Sequence, residues 1–262
     1  MKKINFVKLQ ASGNDFILID QRKAKAFDYK QFAVKFCHRK FGIGADGILV
    51  IEASKKADFK MRIFNSDGSE AAMCGNGARC TALWAKKKHT AFETRAGIIE
   101  ADFKSADALK VKMTKPFGLC LDRDINVFGR TIKINSINTG VPHAVIFVDS
   151  LDELDVAEIG REVRFHKHFS PAGTNVNFVQ VMDTDLIHIR TYERGVEDET
   201  LACGTGTVAS ALIFAIKSGL DIPVRIKNKS GETTKVYFDR SGTTINNVWL
   251  EGKAYKVFAG QL

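Results

Sequence analysis

The feature that most constrains the fold is a Cys-Gly-x-Gly motif that occurs twice, as "MCGNGARC" around Cys74 and as "ACGTGTVAS" around Cys203. Each motif follows the same series of patterns: a glycine turn, an apolar run that ends in an acid, a run of alternating polarity, and an acidic turn. Gly13 and Gly140, in the two glycine turns, are separated by nearly as many residues as the cysteines. The chain is therefore predicted to be a duplicated domain.

The other patterns are mostly short strands with alternating or apolar character. The run after the second motif, Val208 to Ile216, is apolar almost all round, which is typical of a helix buried on every side. Each half is therefore predicted to be a β-sheet wrapped around one central helix. We predict an N-terminal half over 1–116 and a C-terminal half over 117–251, with one more strand in the tail, at about 252–262.

Composition and charge exclude several classes of protein. The chain is 45% apolar and 26% charged, as ordinary soluble globular proteins are. Apolar runs are too short to span a membrane, and the N-terminus lacks the apolar region of a signal peptide, so a cytoplasmic protein is expected. The formal charge of +9 suits a nucleic-acid partner. Because the 39 Lys and Arg residues are scattered, however, a solvated basic surface is the preferred interpretation.

The five cysteines fall into two groups. Cys37, Cys80 and Cys120 are interpreted as small buried hydrophobic residues. There is no Cys-x-x-Cys motif, and no His pair lies at zinc-like spacing near them, so no metal site is predicted. Cys74 and Cys203 each precede a predicted helix start, where the helix dipole lowers a thiol pKa and unpaired N–H groups bind anions.

Two such thiols predict proton transfer. If the halves face each other, one thiolate removes a proton from a carbon and one thiol returns a proton to the other face. Positioned acid–base groups contribute about 10²–10⁴-fold each. The protons of such a pair belong to the pair rather than to either residue. The duplicated motifs therefore favour an isomerase that inverts a carbon centre.

Four blocks carry a resemblance to a known family: "KLQASGNDFILID", "FNSDGSEAAMCGNGARC", "GTNVNFVQV" and "TYERGVEDETLACGTGTVASA". With these the chain resembles the diaminopimelate epimerase family, pyridoxal-independent isomerases that interconvert LL- and meso-diaminopimelate for lysine and peptidoglycan precursors. The resemblance implies an α/β (α+β) fold of two pseudo-symmetric domains, each a mainly antiparallel barrel-like sheet around a central helix. It also implies that the last strand joins the first domain, that the protein is a homodimer, and that the site holds neither cofactor nor metal.

The resemblance also implies roles for individual residues. Cys74 and Cys203 would be the acid/base residues, and His143 would tune the site without being a primary base. The carboxylate at the reacting centre would be held by backbone groups after each cysteine. Glu193 and Arg194 suit the ammonium and carboxylate of the distal amino-acid group. The residues implied to bind substrate are Asn14, Asn65, Gly75, Asn76, Asn175, Glu193, Arg194, Gly204 and Thr205.

Two positions depart from the family pattern. Val141 stands where several members have asparagine, and Gly47 stands where many have glutamine. Both departures remove a side-chain amide from the substrate region. The cysteine chemistry is predicted to be unaffected.

Three alternative functions remain open from the residues. The same fold would serve another substrate, as in proline racemase-like or phenazine-biosynthesis isomerases, although Glu193-Arg194 favours a second amino-acid head. A cysteine hydrolase would need a general-base histidine, for which His143 is the candidate. A basic nucleic-acid-binding module would bind duplex DNA in a salt-dependent way. No nucleic-acid recognition motif is present to favour it.

Overall fold

The computed structural model describes residues 3–262, which form two compact units. The first comprises the residues up to Lys112 together with Gly252–Leu262, and the second comprises Met113–Glu251. The first two residues of the predicted N-terminal half lie outside the described residues. Within residues 3–262, no helix combines the length and the apolar character needed to cross a bilayer.

The first unit contains nine strands and two helices among its described residues. Its elements are β1 (Asn5–Ala11), β2 (Asn14–Asp20), α1 (Tyr29–Phe36), β3 (Gly47–Glu52), β4 (Phe59–Asn65), β5 (Glu70–Ala71), α2 (Gly75–Ala85), β6 (His89–Thr94), β7 (Gly97–Ser105), β8 (Ala108–Lys112) and β18 (Tyr255–Gln261). The second unit contains β9 (Phe117–Val127), β10 (Arg130–Asn138), β11 (Pro142–Phe147), α3 (Val156–Arg164), β12 (Asn175–Asp183), β13 (Leu186–Glu193), β14 (Asp198–Thr200), α4 (Gly204–Ser218), β15 (Val224–Lys227), β16 (Thr233–Ser241) and β17 (Thr244–Gly252), whose last residue already belongs to the first unit.

Strand pairing follows the same scheme in both units. In the first unit, β18, β1 and β2 pair antiparallel in that order, β2 then pairs parallel with β3, and β3 pairs antiparallel with β4. A second parallel pair joins β4 to β6, and β7 and β8 follow antiparallel. In the second unit, β9, β10, β11, β12, β13, β15, β16 and β17 repeat this order and these directions. The predicted mainly antiparallel α/β fold of two pseudo-symmetric domains is confirmed.

Each unit packs its sheet around one helix. In the first unit α2 contacts β1, β2, β7 and β8, and in the second unit α4 contacts β10 to β13, β15 and β16. All residues from Val208 to Ala215 of α4 are buried. Because burial of a large apolar side chain contributes about 1.5–3 kcal/mol, these helices anchor the two cores. The predicted buried helix is thus confirmed up to Ala215, and Ile216 at the end of the predicted run is partly exposed.

Two helices were not anticipated from the sequence. The α1 and α3 helices connect the parallel pairs β2–β3 and β11–β12, where a crossover connection is required. Asp28 caps α1 by accepting hydrogen bonds from two backbone N–H groups, and Asp155 caps α3 by accepting one from Glu158. An acid followed three residues later by Glu is a helix-start signal in the α3 sequence. Both helices are short, with eight and nine residues, so their periodicity is weak.

Candidate active site

Cys74 lies at the start of the central helix of the first unit. It is the N-cap residue of α2, with an extended backbone at φ −145° and ψ 122°. Its Sγ accepts a hydrogen bond from the backbone N–H of Gly77 at 3.4 Å, and the residue is half-buried. A sulfur at this place receives the field of the helix N-terminus, which favours the thiolate.

Asn14 is brought to this sulfur by a tight hairpin. The β1–β2 turn consists of Ser12 and Gly13, at φ 52° and 82°, as a two-residue hairpin with left-handed central residues requires. Asn14 opens β2 directly after the turn, and its Nδ2 lies 4.0 Å from Cys74 Sγ. Its Oδ1 is buried and accepts no hydrogen bond from residues 3–262. An unsatisfied acceptor here marks a place where a ligand N–H would be stabilised.

Arg79 organises the surroundings of Cys74 and was missed by the sequence reasoning. The residue is 1% exposed, and its Nη2 donates to Ser12 Oγ at 3.0 Å and to Asn76 Oδ1 at 2.5 Å. Its Nη1 donates to the carbonyl of Lys253 at 3.0 Å. One guanidinium therefore joins the helix start, the hairpin and the segment before β18. The Asn76 side-chain carbonyl is engaged by this guanidinium, so its backbone N–H is the better candidate for a substrate contact.

Asn65 and Gly47 meet across the β3–β4 pair. Asn65 is exposed, and its Nδ2 donates to Ser69 Oγ at 3.0 Å within its own turn. Gly47 faces Asn65 in the strand register. A Cβ at Gly47 would lie 2.5 Å from the carbonyl oxygen of Phe64, a backbone atom that cannot move aside easily. Glycine at this position is thus explained by the close approach of two strands, and this backbone would not accept a glutamine.

Cys203 occupies the equivalent place in the second unit. It is the N-cap residue of α4, extended at φ −115° and ψ 113°, and it is buried. Its Sγ lies 3.5 Å from Thr205 Oγ1. The helix start is held by two threonines: Thr207 Oγ1 donates to the Cys203 carbonyl at 2.9 Å, and Thr139 Oγ1 donates to the Thr205 carbonyl at 2.9 Å. Both cysteines thus occupy the N-cap position of the central helix of their own unit, and the side chain of Cys74 also accepts a hydrogen bond from the helix.

The last glycine of each motif has a packing role. A Cβ at Gly206 would lie 2.2 Å from Oδ1 of Asn177, a buried residue of β12. A Cβ at Gly77 would lie 3.1 Å from Leu49 Cδ2 of β3. In both units the glycine lets the first helical turn approach the sheet closely. Asn177 is a second residue of the site region that the sequence reasoning missed.

His143 is completely buried on β11. It faces Asn175 in the parallel register with β12, and its Nδ1 lies 3.0 Å from Asn177 Nδ2. Its Nε2 is buried and has no hydrogen-bond partner among residues 3–262. Burial, aided by the charge of Arg194, lowers the pKa of His143 to about 3. The ring is therefore neutral at physiological pH.

Of the residues predicted to bind the distal group, Arg194 is held by Asn175. Its Nδ2 donates to the carbonyl of Pro142 at 3.1 Å, and its Oδ1 accepts from the backbone N–H of Arg194 at 2.9 Å. The Arg194 side chain donates to the carbonyl of Ala172 at 3.2 Å. Burial raises the pKa of Glu193, although a hydrogen bond from Thr200 opposes this. The amide of Asn175 thus fixes the loop that carries Arg194.

Comparison with known proteins shows the family. The model described as "Diaminopimelate epimerase" matches residues 6–117 and 135–257. The diaminopimelate epimerase of Aquifex aeolicus is 41% identical, covering 99% of this chain and 98% of the relative. Those of a Hydrogenobaculum species and of Archaeoglobus fulgidus are 45% and 42% identical, and cover 97% and 99% of this chain and 97% and 96% of the relatives. The chain belongs to the diaminopimelate epimerase family.

Solved structures with low sequence identity share the fold. A Bacillus anthracis phenazine biosynthesis protein of the PhzF family superposes with a TM-score of 0.78 at 17% identity, covering 100% of this chain and 99% of that chain. A hydroxyproline epimerase from Agrobacterium vitis gives 0.68 at 16% identity, covering 100% and 91%. At such identities the likeness carries the fold alone. Family membership confirms the prediction of an isomerase of the epimerase type.

The described residues offer polar groups at two helix starts rather than a metal-ligand set. Among residues 3–262, no three or more His, Cys, Asp and Glu side chains are arranged to hold a metal ion. Of the predicted site residues in the first unit, the structure brings Asn14, Gly75 and Asn76 to the Cys74 region. In the second unit it brings Gly204 and Thr205 to Cys203, and joins Asn175 to Arg194. Each unit therefore carries one thiol with adjacent N–H donors.

Replacing Glu193 with glutamine is expected to raise thermal stability at about pH 7. A carboxyl whose pKa is raised by burial binds its proton more tightly in the folded state, so the free energy of unfolding falls as pH rises above the unfolded pKa, about 4.3. Glutamine keeps the acceptor for Thr200 without the buried charge. The difference in melting temperature between the variant and the wild type should vanish below about pH 4, where residue 193 is neutral in both proteins. Thermal melts across this range measure the effect.

Glu197→Gln is the matched control for that melt series. Glu197 accepts from the Gly195 N–H at 2.9 Å and pairs with Arg164 at 3.0 Å, and its pKa is lowered although burial opposes this. The ionised carboxylate of Glu197 therefore stabilises the folded state, in contrast to that of Glu193, and removing its charge should lower the melting temperature at about pH 7. A stabilised Glu197→Gln, or a destabilised Glu193→Gln, would contradict the assignment of these two environments.

Proposed function

We propose that this protein interconverts LL- and meso-diaminopimelate, with Cys74 and Cys203 as the acid/base pair and without pyridoxal phosphate or metal. The observation that carries the proposal is that each cysteine occupies the N-cap position of the central helix, at the equivalent place of a duplicated unit. Membership of the diaminopimelate epimerase family supports the choice of substrate. The helix starts supply N–H donors for an anion beside each sulfur.

The proposed reaction uses one thiolate and one thiol. The thiolate takes the α-proton and forms an S–H bond, while the C–H electron pair moves into the adjacent carboxylate to give an enediolate-like species. The thiol on the other face gives its proton to the α-carbon and becomes the thiolate. Backbone N–H groups of Gly75, Asn76, Gly204 and Thr205 stabilise the growing negative charge. Each such donor is worth about 10²–10³-fold in rate.

The distal amino-acid head is assigned to the second group of predicted residues. Glu193 accepts hydrogen bonds from the ammonium, and Arg194 binds the carboxylate with its planar fork. An ammonium beside Glu193 also stabilises its buried carboxylate charge. Asn14, Asn65 and Asn175 provide the remaining polar groups, directly or by fixing the Arg194 loop. A substrate with one amino-acid head leaves Glu193 and Arg194 without partners, which disfavours it.

The test is solvent hydrogen exchange under reducing conditions. Protein without added pyridoxal phosphate or metal is incubated with LL-diaminopimelate in deuterated water, and the α-proton signal and the meso isomer are followed by NMR and chiral chromatography. We expect loss of the α-proton together with formation of the meso isomer. A folded, reduced sample that exchanges no α-proton would contradict the proposal. Proline, hydroxyproline and a single-headed amino acid serve as substrate controls for the alternative isomerases.

The hydrolase alternative is disfavoured by the state of His143. A general base for a cysteine nucleophile should titrate near neutral pH. Burial lowers the pKa of His143 to about 3, which makes it a poor base.

Family resemblance further supports a cytoplasmic homodimer that acts in lysine and peptidoglycan precursor synthesis. Sedimentation of the reduced protein tests the dimer.

A further inference from the structure

The amide of Asn177 has an orientation that its neighbours determine. Its Nδ2 lies 3.0 Å from the carbonyl oxygen of Ala144 and 3.0 Å from His143 Nδ1. Its Oδ1 accepts from Thr191 Oγ1 at 3.1 Å. A backbone carbonyl only accepts hydrogen bonds, so the atom facing Ala144 must be the NH₂ group and not the oxygen. The assignment of the two amide atoms is thus fixed by chemistry.

This orientation determines which nitrogen of His143 carries a proton. One hydrogen of Nδ2 goes to the Ala144 carbonyl, and the other points at His143 Nδ1. Nδ1 must therefore accept, which requires its lone pair, and the single proton of the neutral ring lies on Nε2. A protonated ring would place an Nδ1–H against an N–H of Asn177. The orientation of the Asn177 amide therefore determines both the tautomer and the neutral state of the His143 ring.

We infer that Asn177 is a positioning residue that holds His143 as the neutral Nε2–H tautomer, so that His143 is a hydrogen-bond donor and not a general base. The catalytic part of this inference rests on the proposed function. Because Nε2 is buried and has no partner among residues 3–262, its N–H is a desolvated donor. Such a donor is strongly favourable toward an anion that forms or binds in the site during turnover.

Asn177 is held so firmly that few other side chains would replace it. It is completely buried on β12, and Thr191 on β13 donates to its oxygen. The same oxygen lies so close to Gly206 that a Cβ there would clash at 2.2 Å. The amide therefore connects β11, β13 and the first turn of α4, the helix that Cys203 caps. Arg194 supplies the charge that acts on the His143 ring and also disfavours its protonation.

The decisive measurement is nitrogen NMR of His143 in the protein without substrate. In the wild type we expect a protonated Nε2, an unprotonated Nδ1, and no change between about pH 5 and pH 9. Asn177→Asp keeps the shape but replaces the NH₂ donor with an acceptor. The variant should move the proton to Nδ1, raise the pKa of His143, and make the ring titrate in this range. A wild-type ring protonated at Nδ1 would overturn the inference without any variant.

Asn135→Asp is the matched control. Asn135 is buried in the same unit, and its Nδ2 donates at 3.3 Å to the carbonyl of Val145, the residue after Ala144 on β11. This variant loses the same kind of bond to the same strand, so it should leave the proton on Nε2. If Asn177→Asp does not fold, Asn177→Ser retains a small donor and should preserve the wild-type signals. A proton that moves equally in Asn135→Asp would also overturn the inference.

Kinetic measurements distinguish a positioning role of Asn177 from a purely structural one, because a purely structural role would not add an ionisation to the pH profile of kcat. In Asn177→Asp we expect kcat to fall by about 10²-fold, the loss typical of one positioned donor, with a much smaller change in KM. A new ionisation should appear in the pH profile of kcat, and it should be absent from Asn135→Asp. Wild-type NMR signals as expected, in a protein that exchanges no α-proton, would refute the proposed function alone. An unchanged kcat and pH profile in folded Asn177→Asp would refute the role of Asn177 alone.

Discussion

Replacing either Cys74 or Cys203 with alanine is expected to abolish interconversion of LL- and meso-diaminopimelate. Inversion needs a base on one face of the α-carbon and an acid on the other, and each variant lacks one of them. A positioned acid or base contributes about 10²–10⁴-fold, so epimerisation should fall by at least this factor. Chiral chromatography of the reaction mixture measures the loss for both directions of the reaction.

The same two variants should show which cysteine acts on which face of the substrate α-carbon. The remaining cysteine still removes and returns a proton on its own face, which exchanges the α-hydrogen without inversion. We therefore expect each variant to exchange only one stereoisomer in deuterated water, and the two variants to exchange opposite ones. Cys80→Ala, a buried position in α2, is the control and should retain epimerisation. Full activity in either Cys74→Ala or Cys203→Ala would exclude the two-base scheme.

Arg79→Met is expected to cause the largest loss of stability. The guanidinium donates to Ser12 Oγ, to Asn76 Oδ1 and to the Lys253 carbonyl from a site that is 1% exposed. Methionine fills part of the volume but makes none of these three hydrogen bonds. Each lost hydrogen bond to a buried group costs about 1–3 kcal/mol, so the loss of all three is expected to cost about 3–9 kcal/mol. Chemical denaturation measures the free energy of unfolding.

Arg22→Met is the control for that denaturation experiment. Arg22 pairs with Asp20 on the surface at 2.7 Å, and both side chains are well exposed. An exposed pair contributes about 0–1 kcal/mol, so this variant should stay within that range. Arg79→Met should also lower kcat, because Asn76 and the hairpin that carries Asn14 lose their common anchor. Equal stability losses in the two variants would contradict the role given to Arg79.

The duplication and the central helices are the parts of the fold that the sequence predicts well. Periodicity of two identifies most strands, and an apolar run such as Val208 to Ala215 has few alternatives to a buried helix. The parallel pairs β2–β3 and β11–β12 were not predicted, because they depend on α1 and α3. Those helices are short and are identified mainly by their acidic caps at Asp28 and Asp155.

Site residues divide in the same way. Cys74 and Cys203 are visible because a local motif repeats, whereas Arg79 and Asn177 act through contacts with residues distant in sequence. A sequence signal for both is present: Arg79 lies in the run predicted to form the central helix of the first half, and Asn177 lies between the apolar residues Val176 and Phe178. Buried polar groups need specific partners, but only the fold identifies them. Gly47 is explained in the same manner, by a backbone oxygen of a neighbouring strand.

The pairing of β18 with β1 has a consequence for biosynthesis. These strands are separated by nearly the whole chain, so the sheet of the first unit gains β18 only after the second unit has been translated. Once β17 has been translated, all strands of the second unit are present, whereas the first unit still lacks β18. Domains generally fold as units as they emerge from the ribosome. We therefore expect the first unit to complete its folding after the second unit, although its translation begins earlier. A stalled ribosome that exposes residues only through β17 should carry a second unit that resists protease and a first unit that is cleaved.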